Sequence, residues 1–444
     1  MENAAAQALF GLDPLWTSTT LLVVTYGAII SEKINRAIAA LLGAGLMIAL
    51  GLLNQEQAIR GIDFNTLALL TGMMLIVAVT RRSGVFQYVA IRAAKLSRAN
   101  PAGILAMMAV VTAVFSALLD NVTTVLLVAP VTLVICRELK VNPYPFLFAE
   151  IFASNIGGTA TLIGDPPNII IGSAAHLAFM DFVYALTPVI LVILALQCLA
   201  IHLIWGRSMT ATLEAKARVM ALDHKDAITD RRLMRQSVAV IVLTILAFAC
   251  ARFIRLEAGS IALFGAAILL LLDNLGRPAE AQHHRLIEAF NEVEWITIFF
   301  FVGLFIVVAG VEQAGLLHLL AEKLVAATSG DFAVTAIAIL WASAILSAIV
   351  DNIPFVATMI PLVKNLAPSF GGDAAILPLW WALSLGACLG GNGTLIGASA
   401  NLTVAGIGER AGVPFRFLAY LKVAAPLMLL SIAISHLYLW WRFL

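Results

Sequence analysis

The sequence has little charge for its length. Of its 444 residues, 12% are charged and 61% are hydrophobic, whereas an ordinary soluble domain carries about twice that charge. The net charge of +1 excludes a nucleic-acid binder that works through bulk positive charge and a disordered acidic protein. A soluble fold of this size needs a more polar surface, so the sequence predicts an all-α polytopic membrane protein.

The sequence also lacks the motifs of several catalytic and metal-binding classes. Its four cysteines lie in apolar runs without a Cys-x-x-Cys pair, so we expect neither disulfides nor a metal site. It has no His-Glu-x-x-His, no Gly-x-Ser-x-Gly and no Gly-x-x-x-x-Gly-Lys-Ser/Thr motif, so we expect no enzyme, no cofactor and no use of ATP by this chain. No companion soluble ATPase is indicated. The stretch 1–14 has no basic region, so we expect an N-terminal tail and no cleaved signal peptide.

Long apolar runs are abundant. A helix needs roughly 20 apolar residues to cross a bilayer, and eight runs are near that length: 15–30, 37–53, 64–80, 183–205, 237–251, 258–272, 295–310 and 417–440. Four further long stretches are interrupted at their centre by Asp-Asn pairs, or by Gly, Thr, Asn and Pro: 102–135, 144–175, 333–366 and 378–408. We therefore predict single spans for the first set and interrupted segments for the second.

The second half of the sequence repeats the first. Residues of rare type match in the same order at an offset of 231 and later of 233. The matches include Asp63 with Glu294, Asp120-Asn121 with Asp351-Asn352, Pro130 with Pro361, Thr161–Gly164 with Thr394–Gly397, and Asn168 with Asn401. Chance similarity of apolar helices would align Leu and Val instead. We predict repeat 1 over 15–205, a cytoplasmic linker over 206–236 and repeat 2 over 237–442.

The distribution of basic residues predicts the topology. If 102–135 and 333–366 are re-entrant hairpins, each repeat crosses the membrane five times, and the second repeat is inverted. Of the 27 Lys and Arg, 21 then fall on one side, which should be cytoplasmic. Both termini would lie outside. Inverted repeats with interrupted helices at matching positions are typical of a secondary transporter.

The interrupted segments hold the candidate site. Non-helical backbone at membrane depth is tolerated where protein or a water-filled cavity satisfies it, so the two sets of interruptions should meet near the midplane and bind the solute. The candidate solute-binding residues are Asn121, Thr123, Gly158, Thr159, Thr161, Asn168, Asn352, Asn392, Thr394 and Asn401. The candidate carriers of a proton or cation are Asp120, Asp165 and Asp351, because an intramembrane carboxylate is rare and usually functional.

Structural roles are open for the same residues. Small and polar side chains often join helices to one another, and Asp165 could cap a half-helix. Glu150 is a weaker proton carrier that could form a cap or an ion pair. Cys388 could contact a thiophilic solute or simply pack as a small buried residue.

Two sequence blocks resemble a known family. Asp120-Asn121-Val122-Thr123-Thr124 and Asn155–Asn168, with Gly157-Gly158 and Gly164-Asp165-Pro166-Pro167, are similar to signature blocks of the ion transporter superfamily. The nearest group holds the arsenite efflux permeases, the NhaD-type sodium/proton antiporters and the melanosomal P protein. Asp351-Asn352-Ile353-Pro354 and Gly390–Thr394 fit the same pattern.

This resemblance implies a scaffold domain, a transport domain built from the hairpins and interrupted helices, and a homodimer in the inner membrane. Asn121 and Asn352 would lie at the hairpin tips. The dicarboxylate branch carries Ser-Asn-Thr at each tip, whereas this chain has Asp-Asn-Val and Asp-Asn-Ile, which argues against citrate or succinate. The leading hypothesis is proton-coupled efflux of arsenite or antimonite. The alternatives are a sodium/proton antiporter and a passive anion channel of P-protein type.

Overall fold

The computed structural model describes residues 11–31 and 33–444, so the first ten residues of the predicted tail 1–14 lie outside the described residues. Ten α-helices make up the first half: α1 Pro14–Ile30, α2 Arg36–Ala49, α3 Gln55–Gly61, α4 Phe64–Arg81, α5 Val85–Leu96, α6 Pro101–Leu118, α7 Asn121–Leu139, α8 Tyr144–Thr159, α9 Pro166–Ala174 and α10 Phe179–Ile204. One helix lies between the halves: α11 Leu213–Ala221. The second half contains α12 Arg231–Ala249, α13 Ala251–Ile254, α14 Ala258–Asn274, α15 Ala279–Asn291, α16 Trp295–Gln313, α17 Leu316–Ala327, α18 Phe332–Ile349, α19 Asn352–Leu366, α20 Leu377–Gly390, α21 Ser399–Arg410 and α22 Phe417–Arg442.

The predicted all-α class is confirmed, since the described residues form helices and connecting segments without a β-strand. Each of the eight predicted spans corresponds to one helix, namely α1, α2, α4, α10, α12, α14, α16 or α22. Each of the four interrupted stretches forms two helices, namely α6 and α7, α8 and α9, α18 and α19, or α20 and α21. Helix α12 begins at Arg231, inside the stretch predicted as linker.

The Asp-Asn pairs begin the second helix of each hairpin. Asp120 precedes α7 with an extended backbone, and its carboxylate accepts the backbone N–H of Thr123 at 2.7 Å. Asp351 precedes α19 and accepts the N–H of Ile353 at 3.2 Å. An N-cap aspartate satisfies donors that a helix start leaves unpaired, which explains why each apolar run turns at its aspartate.

Matching residues of the two halves make the same local contacts. The hydroxyl of Ser116 donates to Ser154 O at 2.6 Å, and that of Ser347 donates to Ala387 O at 2.6 Å. Gly157 packs so closely on α6 that a Cβ would lie 2.2 Å from Ala113 O. Gly390 packs likewise on α18, where a Cβ would lie 2.5 Å from Ala344 O. The hairpin of each half is therefore built against its interrupted helix in the same way.

The long helices pack in two groups. Helix α4 packs along α14 and α2 packs along α16, with α1 and α12 beside them; we call these six helices the framework group. The hairpins and interrupted helices pack on one another and on α10 and α22; we call α6–α10 and α18–α22 the hairpin group. Helices α7 and α21, and α19 and α9, are in contact, so the hairpin group combines both halves.

An open cavity of about 730 Å³ separates the two groups on one face. It is lined by the first residues of α4, such as Phe64 and Asn65, and by the last turns of α16, including Val308 and Glu312. The matching helices α4 and α16 therefore run in opposite directions relative to this face.

Candidate functional site

Asp165 lies where the two hairpin tips meet. It is fully buried at the position before α9, yet its side chain makes no capping bond to that helix. Its Oδ1 accepts Nδ2 of Asn121 at 3.1 Å and faces Nδ2 of Asn352 at 3.5 Å. One carboxylate of the first half therefore receives an amide from each hairpin tip, and the two predicted tips do come together.

A chain of amides extends from this carboxylate across the two halves. Asn121 also donates to Oδ1 of Asn155 at 3.1 Å. The Nδ2 of Asn155 in turn donates to Oδ1 of Asn392 and to Oδ1 of Asn401, each at 2.9 Å. Asn155 was not among the predicted site residues, although it lies in the quoted block one half-turn before Gly157. The network couples the interrupted helices of both halves.

Asn168 and Asn401 hold the interruptions in shape. Asn168 donates to the carbonyls of Thr159 and Thr161 at 3.1 and 2.9 Å. Asn401 donates to the carbonyls of Gly391 and Thr394, both at 2.8 Å. These bonds satisfy carbonyls that the broken helices leave free, which hydrocarbon surroundings require.

The predicted threonines and Gly158 support the backbone. The hydroxyls of Thr159, Thr161 and Thr394 donate to the carbonyls of Asn155, Ala117 and Ala348. Thr123 contributes its backbone N–H to Asp120. Gly158 faces Gly164 so closely that a Cβ would lie 2.4 Å from Gly164 O. In this arrangement these residues position the site, and their side chains point at backbone.

Three buried polar atoms of the network have no hydrogen-bond partner in the described part of the chain. They are Oδ2 of Asp165, Oδ1 of Asn121 and Nδ2 of Asn392. Buried polar groups are normally paired, so each of these atoms retains the capacity for one further hydrogen bond. Two acceptors, one of them on a carboxylate, and one amide donor suit a proton, a small cation or a small hydroxylated solute.

The other two predicted carboxylates have different surroundings. Asp120 is buried and caps α7. Asp351 forms a salt bridge with Arg36 at 3.2 Å and accepts the hydroxyl of Ser399 at 3.0 Å. Arg36 is one of the 21 basic residues on the predicted cytoplasmic side, and nothing local in the sequence relates it to a hairpin tip. Asp165 differs from both because one of its oxygens is fully buried without a hydrogen-bond partner.

Glu150 and Cys388 flank the network. Glu150 is fully buried inside α8 and bonds the hydroxyl of Thr132 on α7; within residues 11–31 and 33–444 it neither caps a helix nor forms an ion pair. Cys388 lies 3.5 Å from Oδ1 of Asn168, which also accepts the hydroxyl of Ser384 at 2.6 Å. Cys388 is therefore in contact with the network as well as packed.

Comparison with known proteins gives the family. The family model described as citrate transporter matches residues 26–386. The chain belongs to this family. The citrate transporter family is part of the ion transporter superfamily that the sequence blocks indicated. The chain is therefore a membrane transporter and not an enzyme, and both predictions are confirmed.

Several relatives are similar over nearly the whole chain. An uncharacterized transporter of Mycobacterium bovis is 43% identical over 96% of this chain and 98% of its own length. A 46 kDa membrane protein of Mycobacterium leprae is 40% identical over 96% of this chain and 98% of that protein. The P protein of Mus musculus is 34% identical over 95% of this chain and 60% of its own length, which supports the predicted resemblance.

Solved structures share the fold. The YdaH transporter of Alcanivorax borkumensis has a TM-score of 0.59 at 15% identity, covering 96% of this chain and 98% of that chain. The antimetabolite efflux pump MtrF of Neisseria gonorrhoeae has a TM-score of 0.58 at 10% identity, covering 97% of this chain and 95% of that chain. At these identities the likeness concerns the fold alone.

Proposed function

We propose that this transporter exports arsenite or antimonite in exchange for protons across the inner membrane. The observation that carries the proposal is the Asp165 carboxylate, which receives both hairpin tips and keeps one oxygen without a partner. Arsenite is largely an uncharged trihydroxide at neutral pH. Its hydroxyls can donate to the free oxygens of Asp165 and Asn121 and accept the free amide of Asn392.

The charge of the network supports a neutral or cationic solute. No Lys or Arg of the described residues bonds Asp165 or the amides of the network. A multivalent anion would meet the carboxylate without a compensating cation at low dielectric, which is unfavourable. In the proposal Asp165 carries the exchanged proton, because its carboxylate faces both hairpin tips and keeps one buried oxygen without a partner. Asp120 and Asp351 are secondary carriers.

The test is proton-driven arsenite uptake into inverted membrane vesicles. The double variant Asn121→Ala with Asn352→Ala removes both amides that point at Asp165, so we expect uptake to fall at least about tenfold, the equivalent of one lost charge-assisted hydrogen bond. A variant of the exposed Asn291, Asn291→Ala, is the control and should transport normally. Unchanged uptake in the double variant would contradict the site.

Sodium/proton antiport is the second candidate. The free oxygens of Asp165 and Asn121 are hard ligands of the kind that alkali cations take. Sodium-dependent proton movement without metalloid would favour this function. Citrate, the solute in the family's description, and succinate belong in the same panel, and current without a coupling gradient would favour a passive anion channel.

We propose the predicted orientation and assembly together with this function. The face with 21 of the 27 basic residues would be cytoplasmic, both termini would lie outside, and the chain would form a homodimer. The cavity supports the orientation, because it is lined by four of the six remaining basic residues, Arg60, Arg252, Arg255 and Lys364. The cavity would then open away from the cytoplasm.

A further inference from the structure

Arg36 joins the framework group to the hairpin group. As the first residue of α2, it donates to Oδ2 of Asp351 at 3.2 Å and to the hydroxyl of Ser399 at 2.7 Å, both in the hairpin group. On the framework side it donates to the hydroxyl of Thr297 at 3.1 Å, and its guanidinium lies 5.2 Å from the centre of the Phe300 ring. The planar guanidinium of Arg36 therefore connects the hairpin tip at Asp351 and the interrupted helix at Ser399 to Thr297 of α16.

The matching junction in the other half has no such cation. Helix α14 corresponds to α2 at an offset of 222, because Gly43 of α2 and Gly265 of α14 make matching contacts. A Cβ on Gly43 would lie 2.4 Å from the hydroxyl of Thr25, and a Cβ on Gly265 would lie 2.5 Å from the hydroxyl of Thr244. The counterpart of Arg36 is then Ala258, the first residue of α14. The counterparts of Asp351 and Ser399 are Asp120 and Pro166.

The rest of the junction is repeated in both halves. Thr297 donates to Glu294 at 3.0 Å, and its counterpart Thr66 donates to Asp63 at 2.6 Å. Asp63 and Ala258 both line the open cavity. Of two equivalent junctions between the groups, the one with the arginine is bridged and the one with the alanine is open.

We propose that Arg36 is a positioning residue that holds the hairpin group in the arrangement with the cavity open. It acts by binding Asp351 and Ser399, and a cationic species that competes with Arg36 for the Asp351 carboxylate favours release. The salt bridge is reachable for such a species, since the side chains are 27% and 18% exposed. The release step rests on the proposed cation or proton coupling, whereas the bridge itself does not.

The test measures the accessibility of the cavity without any solute. Ala174 lines the cavity at the end of α9, so Ala174→Cys reports its opening by the rate of reaction with a membrane-impermeant maleimide. All variants carry Cys198→Ser and Cys250→Ser, because these two cysteines are not buried. Purified full-length protein in detergent is used throughout.

Loss of the bridge should close the cavity part of the time. We expect Arg36→Gln and Asp351→Asn each to slow labelling of Ala174→Cys at least about threefold. The salt bridge stabilises the open arrangement relative to the closed one, so its loss lowers the population of molecules with an open cavity. The exchange Arg36→Asp with Asp351→Arg, and the conservative Arg36→Lys, should restore most of the rate. A merely structural role of Arg36 would not give recovery by charge exchange.

The chain offers a matched control. Arg82 directly follows α4 and pairs with Asp273 of α14 at the same distance of 3.2 Å, so this salt bridge joins two helices of the framework group and does not reach the hairpin group. Arg82→Gln should leave labelling within about twofold of the parent. Equal labelling in the parent, Arg36→Gln and Asp351→Asn would overturn the proposal. Because no solute is present, this result is independent of whether arsenite is transported, and failed arsenite transport with slowed labelling would overturn the proposed function alone.

Discussion

At the scale of single residues, the site depends on one carboxylate that both halves contact. Asp165 has no acidic counterpart, because the second half has Ala398 at the matching position. The amides of Asn121 and Asn352, one from each half, therefore face a single acidic group. In the proposed proton exchange the carrier must be protonated on one side of the membrane and free on the other. Two buried carboxylates of the described residues have an oxygen without a partner, Asp165 and Glu150, and of these Asp165 faces both hairpin tips.

We expect Asp165→Asn to separate coupling from binding. The amide keeps the shape of the carboxyl group and an oxygen for Asn121, but it cannot carry a proton. Arsenite uptake driven by a proton gradient should fall at least about a hundredfold, in line with the loss of an essential proton-transfer group, while exchange of labelled for unlabelled arsenite at equal pH persists.

The matched control is Asp373→Asn in an exposed loop, which should behave as the parent in both assays. Proton-driven uptake that survives in Asp165→Asn would show that another group, with Glu150 the first to examine, carries the proton.

The sequence revealed site residues that belong to a local pattern, and it did not reveal residues whose hydrogen-bond partners lie far away along the chain. The Asp-Asn pairs stand out because carboxylates are rare in apolar runs, and the structure places both at hairpin tips. Arg36 and Asn155 were missed because their partners are distant: Arg36 meets Asp351 across 315 positions, and Asn155 meets Asn401 across 246. Neither has a local pattern that indicates such a contact.

At the scale of helices, glycines decide how closely the hairpins approach the interrupted helices. Gly157 touches the backbone of α6, where a new Cβ would lie 2.2 Å from Ala113 O and 2.5 Å from Ala113 Cα. Backbone atoms cannot move aside as a flexible side chain can. The Gly-Gly pairs are therefore required by packing, whereas the sequence indicated only an interruption of the helix and a solute-binding role for Gly158.

We expect Gly157→Ala to destabilise the fold by about 1–3 kcal/mol, the usual effect of overpacking a tight contact. The thermal unfolding midpoint in detergent should fall accordingly. Gly45→Ala is the control, because Gly45 lies in α2 with nothing within 4 Å of its new Cβ, and alanine favours helix over glycine by about 0.5–1 kcal/mol. An equal midpoint for both variants would contradict the close packing of α8 on α6.

At the scale of the whole molecule, the sequence predicts the helices better than their arrangement. Apolar runs of bilayer length correspond to eight helices because lipid requires every backbone bond to be made within a segment. The division into framework and hairpin groups comes from pairings such as α4 with α14, which hydropathy does not reveal. The sequence also gives no sign of which of two equivalent junctions is open, since that depends on Arg36 standing where the other half has Ala258.

The orientation in the membrane can be tested directly. The linker carries seven of the basic residues, and the positive-inside rule predicts that it lies in the cytoplasm. We therefore expect Lys225→Cys, at an exposed linker position, to react with an impermeant maleimide only after the cells are opened. A cysteine at Arg255, which lines the cavity, should react in intact cells, because the cavity would face outward. Both variants carry the replacements of Cys198 and Cys250 by Ser. The reverse pattern would place the cavity on the cytoplasmic face, and Arg36 would then close the outer junction instead of the inner one.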